Sequence, residues 1–514
     1  MSTAMEHPRQ YATTAPDRPA TIDASTGAVR TFRELDQRAN QVAHALRGAG
    51  LRTGDHAAIV MDNRLEYLDV LWGAMCAGLY VTPVNWHLAA DEVSYIVDDC
   101  GASALFVAAD ATDSVADLGR DARALRLAVG GALPGFDDFE TVLAAQPTGP
   151  VDDEAEGSWM FYSSGTTGRP KGIKPPTIGA PLGSPNAFSG LVGGLFGVGE
   201  GSVYLCPAPL YHSAPAGWST TSQRLGATVV VMHSFDAEAC LAAIERYRVT
   251  HVQFVPTHLV RILKLDQEVR AQYDLSSLQV IVHAAAPCPP DVKRGAIEFF
   301  GPILHEYYAG SEGGGFCYID SNDWLAHPGS VGKPLLGAAH VTDEDGNELP
   351  TGEAGQIWFE SSNRFEYHGD KQKTAEAWND RGWMTLGDVG YQDDEGYLYL
   401  TDRVSNMIIS GGVNIYPRET EDVLIGHPAV HDVAVIGIPH PEMGESVRAV
   451  VQLAVPADDE EAMADELRRY CRDRLSHFKC PTSVVFVEEL PRLPSGKLAK
   501  RLFSDDVRGL TPPG

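Results

Sequence analysis

Tyr162-Ser-Ser-Gly-Thr-Thr-Gly-Arg-Pro-Lys171-Gly172 follows directly on the apolar run Trp159–Tyr162. A strand that runs out into Ser163, Ser164, Thr166 and Thr167, with Gly165 and Gly168 between them, offers hydroxyls and backbone N–H groups to oxyanions. Glycine tolerates the backbone angles that turn successive N–H groups inward, and Lys171 adds a positive charge. The spacing is not that of the common nucleotide-triphosphatase loop, where Gly-Lys-Ser/Thr follows four intervening residues. A polyphosphate-handling loop of another kind is implied.

On either side of that loop the first 340 residues alternate strand and helix signals. Asp55–Met61 reads as a strand, Leu65–Ala77 as a helix and Leu79–Val84 as the next strand. Asp236 is placed to cap a helix whose apolar positions Cys240, Ile244 and Tyr247 recur at helical spacing. His251–Val255, His258–Lys264 and Leu278–His283 continue as strand, helix and strand. Such repeats imply parallel sheets covered by helices. Between about 340 and 400 the texture changes to short strands and Gly/Asp turns, as in Asp393-Asp394-Glu395-Gly396, which is antiparallel in character. A boundary is expected near Asp402-Arg403. Beyond it, strands at Val430–Ile438, Arg448–Leu453 and Val484–Glu488, with an acidic helix over Glu460–Leu475, form a smaller α+β unit.

A chain of 514 residues with 44% hydrophobic content can bury a large core and should divide into at least two domains. Its net charge of −29 speaks against broad nucleic-acid or anionic-membrane binding, so an anionic cofactor needs a local basic patch. Cys76, Cys100, Cys206, Cys240, Cys288, Cys317, Cys471 and Cys480 form no CxxC pair and no metal-ligand spacing. Buried free thiols in a reducing compartment are the expectation. Met1–Asp17 has no apolar core of signal-peptide length, and no run of 18 apolar residues exists, so an integral membrane segment is not expected and the location expected is cytoplasmic.

Three further segments belong with the 162–172 loop: Glu306-Tyr-Tyr-Ala-Gly-Ser-Glu312, Gly382-Trp-Met-Thr-Leu-Gly-Asp388 running on to Asp402-Arg403, and Pro494-Ser-Gly-Lys497. In this order and at these separations the four resemble the adenylate-forming superfamily, which includes acyl-CoA synthetases, peptide-synthetase adenylation domains and firefly luciferase. The resemblance covers about residues 15 to 505. It implies an α/β fold: a large N-terminal domain of parallel βα subdomains with a small β-barrel-like subdomain (1–402), and a small mobile α+β C-terminal domain (403–514).

What the resemblance implies for chemistry is a carboxylate attacking the α-phosphate of ATP, then a thiol displacing AMP. Two anions must meet in the first step, so cations and N–H dipoles are needed. Ser163, Ser164, Gly165, Thr166, Thr167, Gly168 and Lys171 would hold the β- and γ-phosphates. Tyr308 matches the aromatic that stacks on adenine, with Glu306 and Tyr307 beside it. Ser311 and Glu312 match a hydroxyl on the α-phosphate and a carboxylate on Mg²⁺. Ala309 and Ser311 stand where relatives carry Gly and Thr. His283-Ala284-Ala285-Ala286-Pro287 resembles a strand end bordering both adenine and the acid. Asp388 matches the carboxylate that takes the ribose hydroxyls, and Arg403 a second ribose and phosphate contact. Lys497 matches the lysine that bridges the attacking carboxylate and the α-phosphate.

In the family the C-terminal domain rotates between the half-reactions. The pivot here is Ser405, where relatives carry Asp or Lys. Gly411 and Gly412 resemble the loop lining the pantetheine arm of CoA. Pro207-Ala-Pro-Leu-Tyr-His212 matches a segment whose histidine gates the acyl pocket, around which Trp218, Gln253, Phe254, Val255, His283, Ala284 and Gly310 are expected. The catalytic set implied is Lys497, Thr166, Glu312 and His212. An acyl-CoA synthetase using ATP, Mg²⁺ and CoA on a bulky or ring-bearing acid, or a medium-chain one, leads. A stand-alone acyl-AMP ligase serving a carrier-protein thiol stays open, as does a nucleotide-binding regulator without catalysis. His212 as a packed histidine, Glu312 as a solvated charge and a homodimeric assembly also remain open.

Overall fold

The computed structural model describes residues 5–111, 115, 118, 123–163, 170–175, 178–361, 364–403, 406–410, 413–440, 443–492, 498, 500–503, 507 and 508. Its six-stranded sheet is wholly parallel, in the order Asp137–Asp138, Leu125–Val129, Ala104–Ala108, His56–Val60, Tyr80–Pro83, Ser158–Trp159. Ala104–Ala108 and Tyr80–Pro83 are buried at every position. Continuous apolar runs of this kind belong to parallel sheets covered on both faces.

The larger sheet has 14 strands. One half is mostly parallel: Pro19–Asp23, Thr228–Val231, Val203–Cys206, His251–Phe254, Val280–His283 and Leu304–Tyr308. At Phe316–Asp320 the direction reverses, and antiparallel strands continue through Ser330–Leu336, Leu398–Arg403, Asp388–Gln392, Gly355–Glu360 and Ala339–Thr342. The stretch expected to be barrel-like is made of these antiparallel strands, joined to the central sheet through Ser330–Leu336. Gly332 permits that junction: its φ is +95° and a Cβ would fall 1.9 Å from the Tyr318 carbonyl oxygen.

Trp159–Tyr162 does not form one strand. Ser158–Trp159 closes the edge of the six-stranded sheet beside Tyr80–Pro83, and after buried Met160 the chain starts a new strand, Phe161–Ser163. That strand pairs antiparallel with Lys171–Lys174, which pairs on its other side with Glu366–Tyr367. The strands on either side of the Ser/Thr/Gly segment are therefore antiparallel partners. Asp236 caps the Ala237–Tyr247 helix as expected, accepting from the Ala239 N–H at 2.8 Å.

The chain leaves the central sheet after Arg403 and enters a separate five-stranded sheet at Ile408–Ser410. Val430–His440 and Gly444–Leu453 form its long antiparallel pair, and Ser483–Phe486 adds in parallel. The Glu460–Arg472 helix lays Leu467 and Cys471 into this unit's own core. All eight cysteines are free and buried.

Candidate active site

The hairpin fixes the first cation. Register sets Lys171 opposite Ser163 and Ile173 opposite Tyr367. Lys171 Nζ stands 2.8 Å from Asp370 Oδ2; that bond raises the lysine's pKa and lowers the carboxyl's. Tyr367, brought in by the third strand, donates its hydroxyl to Glu312 Oε1 at 2.9 Å. Lys171 and Glu312, 141 positions apart, are thus tied to one three-stranded sheet (312 − 171).

Glu312 lies on the loop after Leu304–Tyr308. A Cβ on Gly310 would stand 2.2 Å from Leu386 Cδ2 and 2.7 Å from Glu312 Oε2, so a side chain there would displace the ends of both residues. Ser311 shares a 2.8 Å hydrogen bond with Ser213, the first residue of the Ser213–Arg224 helix, and His212 is that helix's N-cap position. At the strand end, the Tyr308 hydroxyl donates to Asp388 Oδ2 at 2.6 Å. Asp388 is 6% exposed, and its backbone lies directly opposite Arg403 in the antiparallel ladder. Nearby, Ala285 is a non-glycine residue with φ +73°, one residue past Ala284 in the turn before the Pro290–Phe300 helix. Backbone strain of this kind concentrates at ligand sites.

Strand alternation sorts the remaining candidates onto two faces. Gln253 and Tyr307 face the Ser213–Arg224 helix: Gln253 Nε2 donates to the Tyr307 hydroxyl at 3.0 Å, and Trp218 Nε1 lies 3.4 Å from the same oxygen. Trp218 stacks on Tyr204 and meets Phe188 edge-on, and Ala284 packs in the same core cluster. Phe254 and His283 point the other way, and Glu306 joins them. Phe254 packs in the second core with Leu259 and Ile262. His283 is wholly buried 3.6 Å from Glu306 Oε2, and Glu306 is paired with buried Lys293 at 2.5 Å.

Phe254, His283 and Glu306 thus leave the sheet on the face opposite Gln253, Glu306 is paired with Lys293, and Tyr307 lies beside Gln253 and Trp218.

Ser164, Gly165, Thr166, Thr167, Gly168, Ser405, Gly411, Gly412 and Lys497 lie outside the described residues. For Ser163 and Arg403 only the backbone pairing is described. Ala286 and Pro287 lie at the surface of the turn after Ala285. Tyr367, Asp370, Ser213 and Lys293 were not singled out by sequence. Their only signal is three-dimensional: each sits beside a motif residue through pairing of distant segments.

The chain is similar to known proteins over nearly its whole length. Residues 8–366 match the family model of the AMP-binding enzymes, and residues 419–497 match that of the AMP-binding enzyme C-terminal domain. A feruloyl-CoA synthase of an Amycolatopsis species is 35% identical over 486 residues, 94% of each chain. A fatty acid–[acyl-carrier-protein] ligase of Streptomyces coeruleorubidus is 30% identical over 94% of this chain and 92% of its own. The structure of o-succinylbenzoate CoA synthetase from Bacillus subtilis with its acyl-adenylate intermediate superimposes with a TM-score of 0.80, at 26% identity over 98% of both chains. The chain belongs to the AMP-binding enzymes, the adenylate-forming family, and is an AMP-forming acid–thiol ligase.

Proposed function

We propose that this enzyme is an acyl-CoA synthetase that joins a ring-bearing carboxylic acid to CoA through an acyl-adenylate, releasing AMP and diphosphate. One observation carries the reading: Tyr308 and Asp388, 80 residues apart, hydrogen-bond at the strand end while Lys171 and Glu312 are tied to the adjoining hairpin. Adenine would lie on the Tyr308 ring beside the Ala285-Ala286-Pro287 turn. Asp388, already a hydrogen-bond acceptor, would take the ribose hydroxyls, with Arg403 opposite. Lys171 would exchange Asp370 for phosphate oxygens, together with the hydroxyls and N–H groups of 163–168. Lys497, delivered by the unit from 403 to 514 pivoting at Ser405, would neutralise the acid and the α-phosphate as they meet.

The residues present fit Mg²⁺. Glu312 offers a carboxylate with one oxygen steadied by Tyr367, Ser311 offers a hydroxyl, and both are hard oxygen donors. Among the described residues no cluster of three or more His, Cys, Asp or Glu forms a metal cage, which suits a cation held largely by substrate phosphates. When bound, the ion would supply charge neutralisation at the phosphates. Glu312 would hold it, and Tyr367 would orient Glu312.

The ring-bearing acid is supported by the packed aromatic cluster of Trp218, Tyr307, Phe188 and Tyr204 beside Gln253. Feruloyl and o-succinylbenzoyl in the names of two relatives accord with it. The decisive assay supplies ATP, Mg²⁺ and a panel of aryl and straight-chain acids, follows diphosphate release, then adds CoA. Aryl acids should release diphosphate and give thioester on CoA addition. Diphosphate release without acyl-CoA would favour a carrier-protein thiol, the acceptor in the name of the Streptomyces relative. No release with any acid would overturn the synthetase reading. Among the described residues no helix is long and apolar enough to cross a membrane.

A further inference from the structure

Behind the nucleotide-facing strand end lies a charged cluster with no part in the chemistry above. Lys293, 0% exposed on the Pro290–Phe300 helix, sits 2.5 Å from Glu306 Oε2 and 4.9 Å from the Trp324 ring centroid. His283 is also 0% exposed, with neither ring nitrogen hydrogen-bonded and Nε2 3.6 Å from the same carboxylate oxygen. A buried ion pair is costly to keep and contributes little net stability compared with apolar packing. Its location is informative instead. Glu306 is two residues before Tyr308 on one strand, so both side chains leave the same face. His283 is register partner to Glu306 and lies two residues before strained Ala285. The helix carrying Lys293 starts three residues after Pro287.

We infer that Lys293 is a positioning residue: its ion pair with Glu306 clamps the Leu304–Tyr308 strand to the helix after the Ala285–Pro287 turn, holding the two walls of the adenine slot at a fixed separation. This rests on the proposed seat of the nucleotide at Tyr308. Burial tends to raise the Glu306 pKa, but Lys293 foremost, with Arg418 behind it, outweighs that and the carboxyl sits below its ordinary value. Burial also holds His283 neutral, with a pKa of about 3. The groups facing Glu306 are Lys293, His283, Arg418 from the Pro417–Ile425 helix and the Cys288 thiol.

In Lys293→Met the carboxylate is left buried and unpaired, and such a group takes up a proton more readily. AMP affinity, measured by calorimetry, should fall roughly tenfold at pH 8, the scale of one charge-assisted hydrogen bond. It should recover towards the wild-type value at pH 6, as Glu306 becomes neutral. The double variant Lys293→Met/Glu306→Met removes both charges and guards against a folding failure. It should fold, bind AMP more weakly than wild type, and show no such recovery at pH 6. Wild-type AMP affinity in the double variant, or a single-variant loss equal at both pH values, would overturn the clamp. Failure of wild type itself to bind AMP would instead overturn the nucleotide seat.

Discussion

If Glu312 holds Mg²⁺ as proposed, it does not act unaided. Its Oε1 accepts from the Tyr367 hydroxyl at 2.9 Å, while Oε2 lies where Gly310 leaves room. A metal-holding carboxylate that can rotate loses part of its advantage to disorder, so the residue that orients it matters almost as much. Tyr367→Phe should lower kcat/KM for diphosphate release by about tenfold and raise the Mg²⁺ concentration for half-maximal rate, with Tm shifted by no more than a few degrees. An unchanged magnesium titration would remove Tyr367 from this role. Glu312 was legible in the sequence because its motif is local. Tyr367 was not, because it meets Glu312 only through the pairing of Ile173 with Tyr367. The faces taken by Phe254, His283, Glu306 and Tyr307 were hidden for a related cause: a motif names a strand end without saying which of two alternating faces each residue takes.

Elements carry the next level of constraint. The loop Ala309–Glu312 passes so close beneath Leu386 that a side chain on Gly310 would displace the ends of Leu386 and Glu312. Gly310→Ala should push Leu386 and Glu312 apart and reduce adenylate formation by at least tenfold, measured as acid-dependent diphosphate release. Wild-type turnover would show that the loop has slack. Because Ser311 hydrogen-bonds Ser213, that displacement would also reach the helix bearing Trp218, so the KM for the acid should rise with that for ATP. At this scale the sequence was readable where spacing is strong. The Asp236 cap and the βαβ succession both stand where pattern put them. The switch of sheet at Met160 was hidden, since a four-residue apolar run gives the same signal whether it forms one strand or two halves.

Two units make up the whole molecule, and they touch near the buried cluster. Lys264 Nζ reaches the His431 carbonyl at 3.3 Å, and Arg418 Nη1 reaches that of Leu400 at 3.2 Å. A unit that rotates would break such contacts, and Lys497 should then serve only one orientation. Lys497→Ala is expected to lose adenylate formation by a hundredfold or more, the order that one preorganised charge at an oxyanion supplies, while preformed acyl-AMP still yields thioester with CoA. Equal loss of both half-reactions would exclude the rotation. The large unit also carries a pH dependence of its own. Burial lowers the pKa of His283 and His258 to about 3, in each case far below the ordinary histidine value of 6.5. The unfolded chain therefore binds protons that the folded one refuses, and stability present above pH 6.5 is lost as pH falls towards 3. Each histidine contributes a slope of up to about 1.4 kcal/mol per pH unit across that window. His258→Gln removes one of these protons, so the urea midpoint of the large unit's transition should fall less steeply between pH 6 and pH 4.5 than in wild type. Parallel slopes in the two proteins would mean that His258 is already protonated in the fold, against its stacking at 3.9 Å on Phe235 and its burial beside Phe254.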